Sequence, residues 1–242
     1  MPELEYVRNY IRRYNIPITG VIHVGAHKFE ELSCYNFANI SVNKILWIEA
    51  NEDMIKMINN PNINVKNYCV SDKDNQEVVF NISNSTASSS MLDLDVHKMH
   101  YPNIGFVDTI NMKTTTLETI YKNENIANDF ANYLHLDIQG AELLALKGCG
   151  ELLNNYDYIC TEVNLLPMYK DCAIISDIDD YLSEYGFLRI ETDFGPGPRK
   201  TITGVWPGAH DFTIDAWGDA LYIRKSKLNT ENIGERTQML KQ

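Results

Sequence analysis

The sequence predicts an α/β fold in which a mostly parallel sheet is covered by helices on both faces. Apolar strand candidates, such as Lys44–Glu49 and Tyr133–Ile138, alternate along the chain with helix candidates. The strand candidates are almost continuously apolar, which is typical of parallel strands that are buried on both sides. The 242 residues, of which 44% are hydrophobic and 22% charged, are enough for one large α/β domain. In such a sheet, ligands bind beyond the carboxyl ends of the strands.

The first segment, residues 1–17, predicts an amphipathic helix that precedes the main domain. Its apolar side chains recur at helical spacing, and Pro17 marks its end. We expect one domain over residues 18–226 and a polar C-terminal tail over residues 227–242.

Apolar runs separated by turn residues predict the elements of this domain in chain order. Strands are expected at 20–24, 44–49, 63–70, 78–82, 110–116, 133–138, 158–163, 187–192 and 220–225. Helices are expected at 30–38, 52–60, 117–123, 142–148 and 175–186, the last with Ser176 as N-cap and Gly186 as C-cap. The polar run Asn81–Ser90 predicts a loop. The segment from about Gly195 to Trp217, rich in Gly, Pro and aromatic residues, predicts a lid or substrate wall.

Charge, hydropathy and cysteine spacing exclude several classes of protein. The 33 acidic and 21 basic residues leave a net charge of −12. This charge disfavours nucleic acid and anionic membranes as partners, because both are bound through clustered Lys and Arg. No run approaches the ~20 apolar residues of a membrane span, and the first residues lack the layout of a signal peptide, so we expect a cytoplasmic protein. The five cysteines show no C-x-x-C spacing and indicate neither a disulfide framework nor a thiolate zinc site.

The first strand end, VIHVGAH, offers a turn for a cofactor. Gly25 lets the backbone approach a ligand closely, and the helix that follows presents free amide groups. Neither the G-x-G-x-x-G fingerprint nor the P-loop pattern occurs in the sequence. Their absence disfavours a nicotinamide dehydrogenase and a P-loop kinase.

The next two strands also end in polar residues. Glu49 stands about 20 residues after the glycine turn, which is the spacing of the acid that binds ribose hydroxyls in nucleotide-binding βαβ units. An ordinary solvated glutamate is the alternative. The string Val70-Ser71-Asp72 ends the third strand and is placed to bracket an adenine, although Asp72 taken singly is more typical of a turn.

The fourth strand end carries the most specific string, HLDIQGAELLALKG, which contains Asp137, Gly140 and Glu142. Together with VGAH, WIEAN, VSD, SSS before Met91-Leu92, TEVN and WGDALYIRK, this string resembles the FkbM family of S-adenosylmethionine-dependent methyltransferases. The matching strings follow in order over about residues 18–225. The resemblance implies a Rossmann-like class I methyltransferase fold with a seven-stranded sheet, and S-adenosylmethionine as the cofactor.

The resemblance also implies which residues bind the cofactor. They are Gly25, Ala26, His27, Glu31, Glu49, Ala50, Asn51, Val70, Ser71, Asp72, Ser90 and Asp137. Three histidines depart from the family pattern. His23 stands where the family usually has Asp, His27 where it often has Asn, and His135 where relatives often have Lys or Asn.

Methyl transfer to a hydroxyl needs a group that takes up the hydroxyl proton. Asp137, Glu162 and His135 are the candidates at the carboxyl edge of the sheet. The two acids end apolar strands, where a carboxylate is costly unless it is hydrogen-bonded or used. Strand alternation places His135 on the same side as Asp137, although a satisfied core histidine is the commoner outcome.

The residues at the same strand ends are also compatible with a mechanism in which a metal ion assists methyl transfer. Asp137, Glu162 and Asn164 offer oxygen ligands suited to Mg²⁺, which would lower the pKa of bound hydroxyls. The same groups equally form a hydrogen-bonded acid site, and we assign no metal. A second group of Asp and His residues at positions 93–100 predicts a solvated or substrate-facing patch rather than a metal site.

The acceptor is expected to be a hydroxyl of a sugar or a related compound. The Asn/Asp-Pro-Pro-aromatic string common in N-methyltransferases does not occur in the sequence, and FkbM relatives commonly methylate hydroxyls of sugars, glycans or polyketides. Serines and an aromatic lid suit a sugar, because hydroxyls take hydrogen bonds and ring faces stack on aromatic side chains. The candidate acceptor-binding residues are Asn164, Arg199, Trp206, His210 and Trp217. Free, nucleotide-linked and polymer-bound acceptors all stay open.

Two other functions stay open beside an S-adenosylmethionine-dependent O-methyltransferase. One is a catalytically silent binding or scaffold protein that keeps the fold. The other is a nucleotide-dependent oxidoreductase, which the single glycine of the first turn disfavours. The sequence is also compatible with a homodimer.

Overall fold

The computed structural model describes residues 5–58, 60–193 and 216–228. Its strands are β1 (Val21–Val24), β2 (Ile45–Glu49), β3 (Asn64–Asn67), β4 (Cys69–Val70), β5 (Glu77–Ser83), β6 (Phe106–Thr115), β7 (Tyr133–Leu136), β8 (Tyr158–Asn164), β9 (Phe187–Asp193) and β10 (Trp217–Arg224). Its helices are α1 (Glu5–Arg13), α2 (Leu32–Phe37), α3 (Glu52–Lys56), α4 (His97–His100), α5 (Leu117–Asn123), α6 (Glu142–Lys147) and α7 (Ile175–Glu184). None of the helices within the described ranges is long and apolar enough to cross a membrane.

Seven strands form the main sheet, in the order β3-β2-β1-β7-β8-β10-β9. The neighbours from β3 to β8 are parallel. Strand β10 lies antiparallel between β8 and β9. The predicted α/β fold with a mostly parallel, seven-stranded sheet is confirmed.

The two faces of this sheet pack against different helices, because side chains alternate along each strand. In β1, Ile22 and Val24 point to the face covered by α5, α6 and α7 and join one buried cluster. Val21 joins a second cluster on the opposite face, together with Trp47 of β2 and side chains of α1 and α2. Full burial stabilises each such aliphatic side chain by about 1.5–3 kcal/mol. The sheet is therefore covered by helices on both faces, as the sequence predicted.

A second, three-stranded sheet in the order β4-β6-β5 corrects two predictions. The strand expected at 63–70 is interrupted at Tyr68, and its two halves, β3 and β4, belong to different sheets. The loop expected at 81–90 begins later, because Asn81 to Ser83 extend β5. Ser90 then pairs with Asn81 through an antiparallel bridge, so the polar run folds back on its own strand.

The N-cap predicted for α7 was wrong. The helix begins at Ile175 with Ile174 as the N-cap, and Ser176 lies inside the first turn. The carboxylate of Asp177 accepts a hydrogen bond from the backbone N–H of Ile174 at 2.9 Å, so the helix is capped two residues before the predicted position. At the other end Tyr185 is the C-cap, and the predicted Gly186 follows it.

Candidate functional site

A cavity of about 830 Å³ opens at the carboxyl ends of β1, β2, β7 and β8. The residues that follow these strands form its floor, the polar run after β5 forms one wall, and α4 with the start of β10 forms another. Its size is in the range of ordinary small-molecule sites, about 300–1,000 Å³. The cavity lies where the sheet topology predicts a ligand.

The turn after β1 brings the backbone to the cavity. Gly25 has a φ of +91°, and a side chain there would collide with the carbonyl oxygen of Asp137. The N–H groups of Gly25 and Ala26 both donate to the carbonyl of Ile48, at 2.9 and 3.1 Å. The requirement for glycine therefore comes from the close approach of the β1 turn to the end of β7.

Glu49 joins this turn to the end of β2. Its Oε2 accepts a hydrogen bond from the backbone N–H of His27 at 2.8 Å, and its Oε1 accepts one from that of Asn51 at 2.7 Å. The residue is 7% exposed and lines the cavity. Burial raises the pKa of Glu49, while the two N–H donors oppose this shift. Each carboxylate oxygen keeps a lone pair for a further donor.

Two carboxylates at the ends of β7 and β8 meet around one amide. Gln139 Nε2 donates to Asp137 Oδ1 at 2.7 Å and to Glu162 Oε2 at 2.8 Å. Tyr169 donates its hydroxyl proton to Gln139 Oε1 at 2.6 Å, and all four residues line the cavity. Burial, and then the charge of Asp137, raise the pKa of Glu162 well above its usual range. Burial also raises the pKa of Asp137.

Gln139 and Tyr169 are not among the site residues predicted from the sequence. Gln139 lies inside the string LDIQGAE, so its position within the most specific motif was the available signal. Tyr169 follows β8 by five residues, and its sequence context carries no comparable signal. The hydrogen bond from Tyr169 to Gln139 depends on how the chain folds back after β8.

A wall on the other side of the cavity is built by α4 and β10. His97 and His100 line the cavity and are only 5% and 8% exposed, so they are buried rather than solvated. One ring nitrogen of each, Nδ1 of His97 and Nε2 of His100, is buried without a hydrogen-bond partner among the described residues. Trp217 Nε1 donates to the hydroxyl of Tyr101 at 3.1 Å on the same wall. We call His97, His100, Tyr101 and Trp217 the acceptor wall.

The described part of the cavity is strongly acidic. Glu162, Asp219 and Asp193 stand in register across β8, β10 and β9. No Lys or Arg occurs among the described residues of the lining, whereas seven carboxylates do: Glu30, Glu31, Glu49, Asp137, Glu162, Asp193 and Asp219. Burial, followed by the charge of Asp137, raises the pKa of Glu31 to about 8. This environment favours a cationic or neutral ligand over an anionic one.

His135 does not reach the cavity. It is 1% exposed and stacks on His23, with ring centroids 4.2 Å apart. Its Nδ1 lies 3.1 Å from the hydroxyl of Tyr35, and burial lowers its pKa to about 3. His135 is thus a core histidine, which the sequence analysis gave as the commoner outcome, and its assignment as a candidate base is not supported by its position.

Ten of the predicted site residues line the cavity: Gly25, His27, Glu31, Glu49, Ala50, Asn51, Val70, Asp137, Glu162 and Trp217. Five others do not line it: Ala26, Ser71, Ser90 and Asn164 are buried, and Asp72 is partly exposed. Ser90 acts on the site indirectly, since its hydroxyl donates to the carbonyl of Gln139 at 2.7 Å. Apart from His135, three predicted site residues remain, and Arg199, Trp206 and His210 lie outside the described residues together with most of the predicted lid.

Within the described ranges, no three His, Cys, Asp or Glu side chains are arranged to hold a metal ion. Asn164, the third oxygen ligand of the metal-assisted variant, is buried and does not line the cavity.

The sheet order and the position of the cavity define a class of protein. Among the described strands of the main sheet, β10 alone is antiparallel, and the cavity lies at the ends of β1 and β2. This arrangement is the Rossmann-like fold of class I methyltransferases. A family model described as the methyltransferase FkbM domain matches residues 23–189, more than half of the chain. The chain belongs to the FkbM methyltransferase family. Residues 23–189 are therefore a methyltransferase domain of this family.

Solved structures with the same general architecture have low sequence identity to this chain. The methyltransferase FkbM from Methylobacillus flagellatus KT is 13% identical, with a TM-score of 0.48, over 85% of this chain and 43% of that one. The chain thus spans less than half the length of that protein. A SAM-dependent methyltransferase from Archaeoglobus fulgidus is 14% identical, with a TM-score of 0.45, over 90% and 92% of the two chains. No curated protein matches the chain in sequence.

Proposed function

We propose that the protein is an S-adenosylmethionine-dependent O-methyltransferase that acts on a hydroxyl of a sugar, a nucleotide-linked sugar or a related glycan or natural product. One observation carries this proposal. A single cavity joins the Gly25–Glu49 turn, which suits a nucleoside, to the carboxylates of Asp137 and Glu162, which suit a proton acceptor.

The end of β2 supports binding of the nucleoside half of the cofactor. Glu49 is held in place by two backbone N–H groups and keeps free lone pairs, so it can accept hydrogen bonds from the two ribose hydroxyls. Ile48, Val70 and Phe80 line the cavity nearby and offer apolar surface to an adenine. Ser71 and Asp72 do not line the cavity and are not assigned a direct contact.

The acidic lining supports binding of a sulfonium. Bound S-adenosylmethionine would supply an electrophilic methyl group on a positively charged sulfur. The carboxylates of Asp137, Glu162 and Asp219 face the cavity and stabilise positive charge there. Because the sulfur becomes neutral when the methyl group leaves, the same carboxylates bind the product less strongly than the cofactor.

The acid pair supports proton removal from the acceptor. In this proposal a new carbon–oxygen bond forms as the carbon–sulfur bond breaks, and the hydroxyl proton passes to Asp137 or Glu162. Burial raises the pKa of both carboxyls, and the pKa of Glu162 is raised well above its usual range. A general base is most effective when its pKa lies near the working pH.

The acceptor wall supports a hydroxyl-bearing ring as the second substrate. The unpaired nitrogens of His97 and His100 are buried polar atoms that lack partners among the described residues, and acceptor hydroxyls can supply them. Tyr101 and Trp217 add aromatic surface on which a sugar ring can stack. Arg199, Trp206 and His210 stay sequence predictions for the same role.

The test uses the full chain in two steps. Calorimetric titration with S-adenosylhomocysteine is expected to show one site. Transfer of a radiolabelled methyl group is then measured on a panel of sugars, sugar nucleotides and oligosaccharides, with Asp137→Asn/Glu162→Gln as the inactive control. Binding without transfer to any hydroxyl acceptor would favour the silent binding or scaffold protein, and absence of binding would contradict both functions. A cytoplasmic location and a homodimer remain part of the proposal, to be tested by cell fractionation and by light scattering.

A further inference from the structure

Gln139 lies between the two carboxylates of the cavity and uses all of its amide hydrogen-bonding groups. Its two N–H bonds point to Asp137 Oδ1 and Glu162 Oε2, with Nε2 at 2.7 and 2.8 Å from these oxygens. Its Oε1 accepts the hydroxyl proton of Tyr169 at 2.6 Å. The amide is thus held from three directions.

The chemistry of the partners decides which way the amide faces. Each carboxyl group keeps at least one oxygen without a proton, whatever its charge, and Gln139 Nε2 faces one such oxygen of Asp137 and one of Glu162. The oxygen, which is the amide atom that binds hard cations, faces Tyr169 instead. A glutamine that binds a metal ion between the two carboxylates would present its oxygen to them, whereas Gln139 presents its nitrogen.

The backbone around Gln139 is fixed as firmly as its side chain. Gln139 has a φ of +57°, in the left-handed region that a non-glycine residue seldom adopts. Ser90 donates its hydroxyl proton to the Gln139 carbonyl at 2.7 Å. The carboxylate of Glu142 accepts hydrogen bonds from the N–H groups of Ile138 and Gly140 at 2.9 and 3.0 Å. A strained conformation persists where the surroundings hold it, and such positions cluster at functional sites.

We propose that Gln139 is a positioning residue that holds Asp137 and Glu162 together in place of a divalent cation, so that the acid pair works without a metal. Two carboxylates that share a site repel each other unless a proton, a cation or a shared donor lies between them. Here the amide nitrogen is that donor. A Mg²⁺ ion would have to approach both carboxylates to about 2.0–2.1 Å, in the space that Nε2 occupies.

The first experiment measures Mn²⁺ binding by electron paramagnetic resonance in three forms of the full chain. The wild type is expected to bind Mn²⁺ only weakly. Gln139→Glu places a third carboxylate oxygen beside Asp137 and Glu162, and Mn²⁺ affinity is expected to rise at least tenfold. The matched control, Gln139→Glu/Glu162→Gln, restores two carboxylates and one amide and is expected to lose this gain. Equal Mn²⁺ affinity in the three forms would overturn the proposal.

A second variant covers the case in which Gln139→Glu fails to fold. Gln139→Met keeps the length of the side chain but removes both N–H donors, so the pKa values of the carboxyls are expected to rise. The pH dependence of S-adenosylhomocysteine affinity in Gln139→Met is then expected to shift to higher pH relative to the wild type. An unchanged pH dependence would overturn the positioning role.

The activity and pH measurements rest on the proposed function, because both require the cofactor or its product to bind, whereas the Mn²⁺ measurement does not. Excess EDTA is expected to leave methyl transfer by the wild type within twofold of the untreated rate. Loss of transfer in EDTA, with recovery on added Mg²⁺, would overturn metal independence. Failure of the wild type to bind S-adenosylhomocysteine would instead identify the proposed function as the part that is wrong.

Discussion

Two groups of polar side chains lie close together on β1, β7 and β8, yet one is sealed in the core and the other lines the cavity. His23 and His135 stack on each other in mid-strand, and Trp47 packs against His23 with ring centroids 4.4 Å apart. Asp137 follows His135 by two residues and contacts Gln139 at the cavity. What places one group in the core and the other at the cavity is position along the strand. His23 and His135 lie within strands, whereas Asp137 follows the end of β7.

Burial acts on these groups in opposite directions. Burial lowers the pKa of His23 and His135, because the charged form of an imidazole is the one that loses hydration. Burial raises the pKa of Glu162 and Glu142, the latter to about 7, for the same reason. Both groups are therefore driven toward neutral forms, but of these four residues only Glu162 lines the cavity.

The largest effect on kcat is expected from substitutions of the acid pair, Asp137 and Glu162. Asp137→Asn and Glu162→Gln should each lower kcat by about 10²–10⁴ if the residue accepts the proton, because each removes a base and keeps the shape. Binding of S-adenosylhomocysteine should stay near the wild-type value. Single-turnover assays with radiolabelled cofactor, together with calorimetry, measure the two quantities.

His135→Gln is the matched control on the same strand. It should leave kcat within a few-fold of the wild type, since His135 does not line the cavity. A fall in kcat as large as that of Glu162→Gln, in a protein of unchanged stability, would contradict the separation of the two groups. Full activity of both acid variants would remove the assignment of the acid pair.

The next effect concerns Glu49. Glu49→Ala removes an acceptor shared by two ribose hydroxyls, and a charge-assisted hydrogen bond contributes about 1.5–3 kcal/mol. We expect S-adenosylhomocysteine to bind about 10–150-fold more weakly, as measured by calorimetric titration. Glu52→Ala, at an exposed acid on α3, is the control and should bind normally. Unchanged affinity in Glu49→Ala would leave the ribose without its proposed partner.

The buried histidines and the buried carboxyls should also differ in how they change the free energy of unfolding with pH. The pKa of His135 in the folded chain is about 3, against about 6.5 when unfolded, so between these values the unfolded chain binds the extra proton. Stability should therefore fall as pH decreases from about 6.5 toward 3, by up to about 1.4 kcal/mol per pH unit for each such histidine. Urea unfolding of the wild type and of His135→Gln between pH 4 and pH 6.5 measures this slope.

The carboxylates predict the opposite slope. Glu162 has a raised pKa in the folded chain, so the folded chain holds a proton that the unfolded chain has lost above about pH 4.5. Its contribution to stability should therefore fall as pH increases through and above this value, and Glu162→Gln should remove that fall. Identical slopes in the wild type and in both variants would show that the two groups do not differ in this way.

The smallest effect is expected at the acceptor wall. His100→Ala should raise KM for the acceptor by about 2–13-fold and leave KM for the cofactor unchanged, because one hydrogen bond contributes about 0.5–1.5 kcal/mol. Met99→Ala is the control, since Met99 is exposed on the same short helix. Steady-state kinetics with each substrate varied in turn measure both constants. A change confined to KM for the cofactor would move His100 to the cofactor side of the cavity.

The sequence by itself determined the parts that depend on local pattern. Apolar runs placed the strands of the main sheet, and the end of each parallel strand located Gly25, Glu49, Asp137 and Glu162 at one edge. Ligands bind at this edge of a parallel sheet, and the residues that follow neighbouring parallel strands lie close together there. The family strings then assigned a chemistry to those neighbours.

Tertiary structure decided the contacts that cross long stretches of chain. Tyr169 reaches Gln139 from 30 residues away, and α4 joins the cavity because its backbone is bonded to residues after β8, as in the bond from the His97 N–H to the Met168 carbonyl at 3.1 Å. The burial of His135 likewise depends on α2, which supplies Tyr35. Alternation along a strand says which side a residue takes, but only packed neighbours decide whether that side is cavity or core.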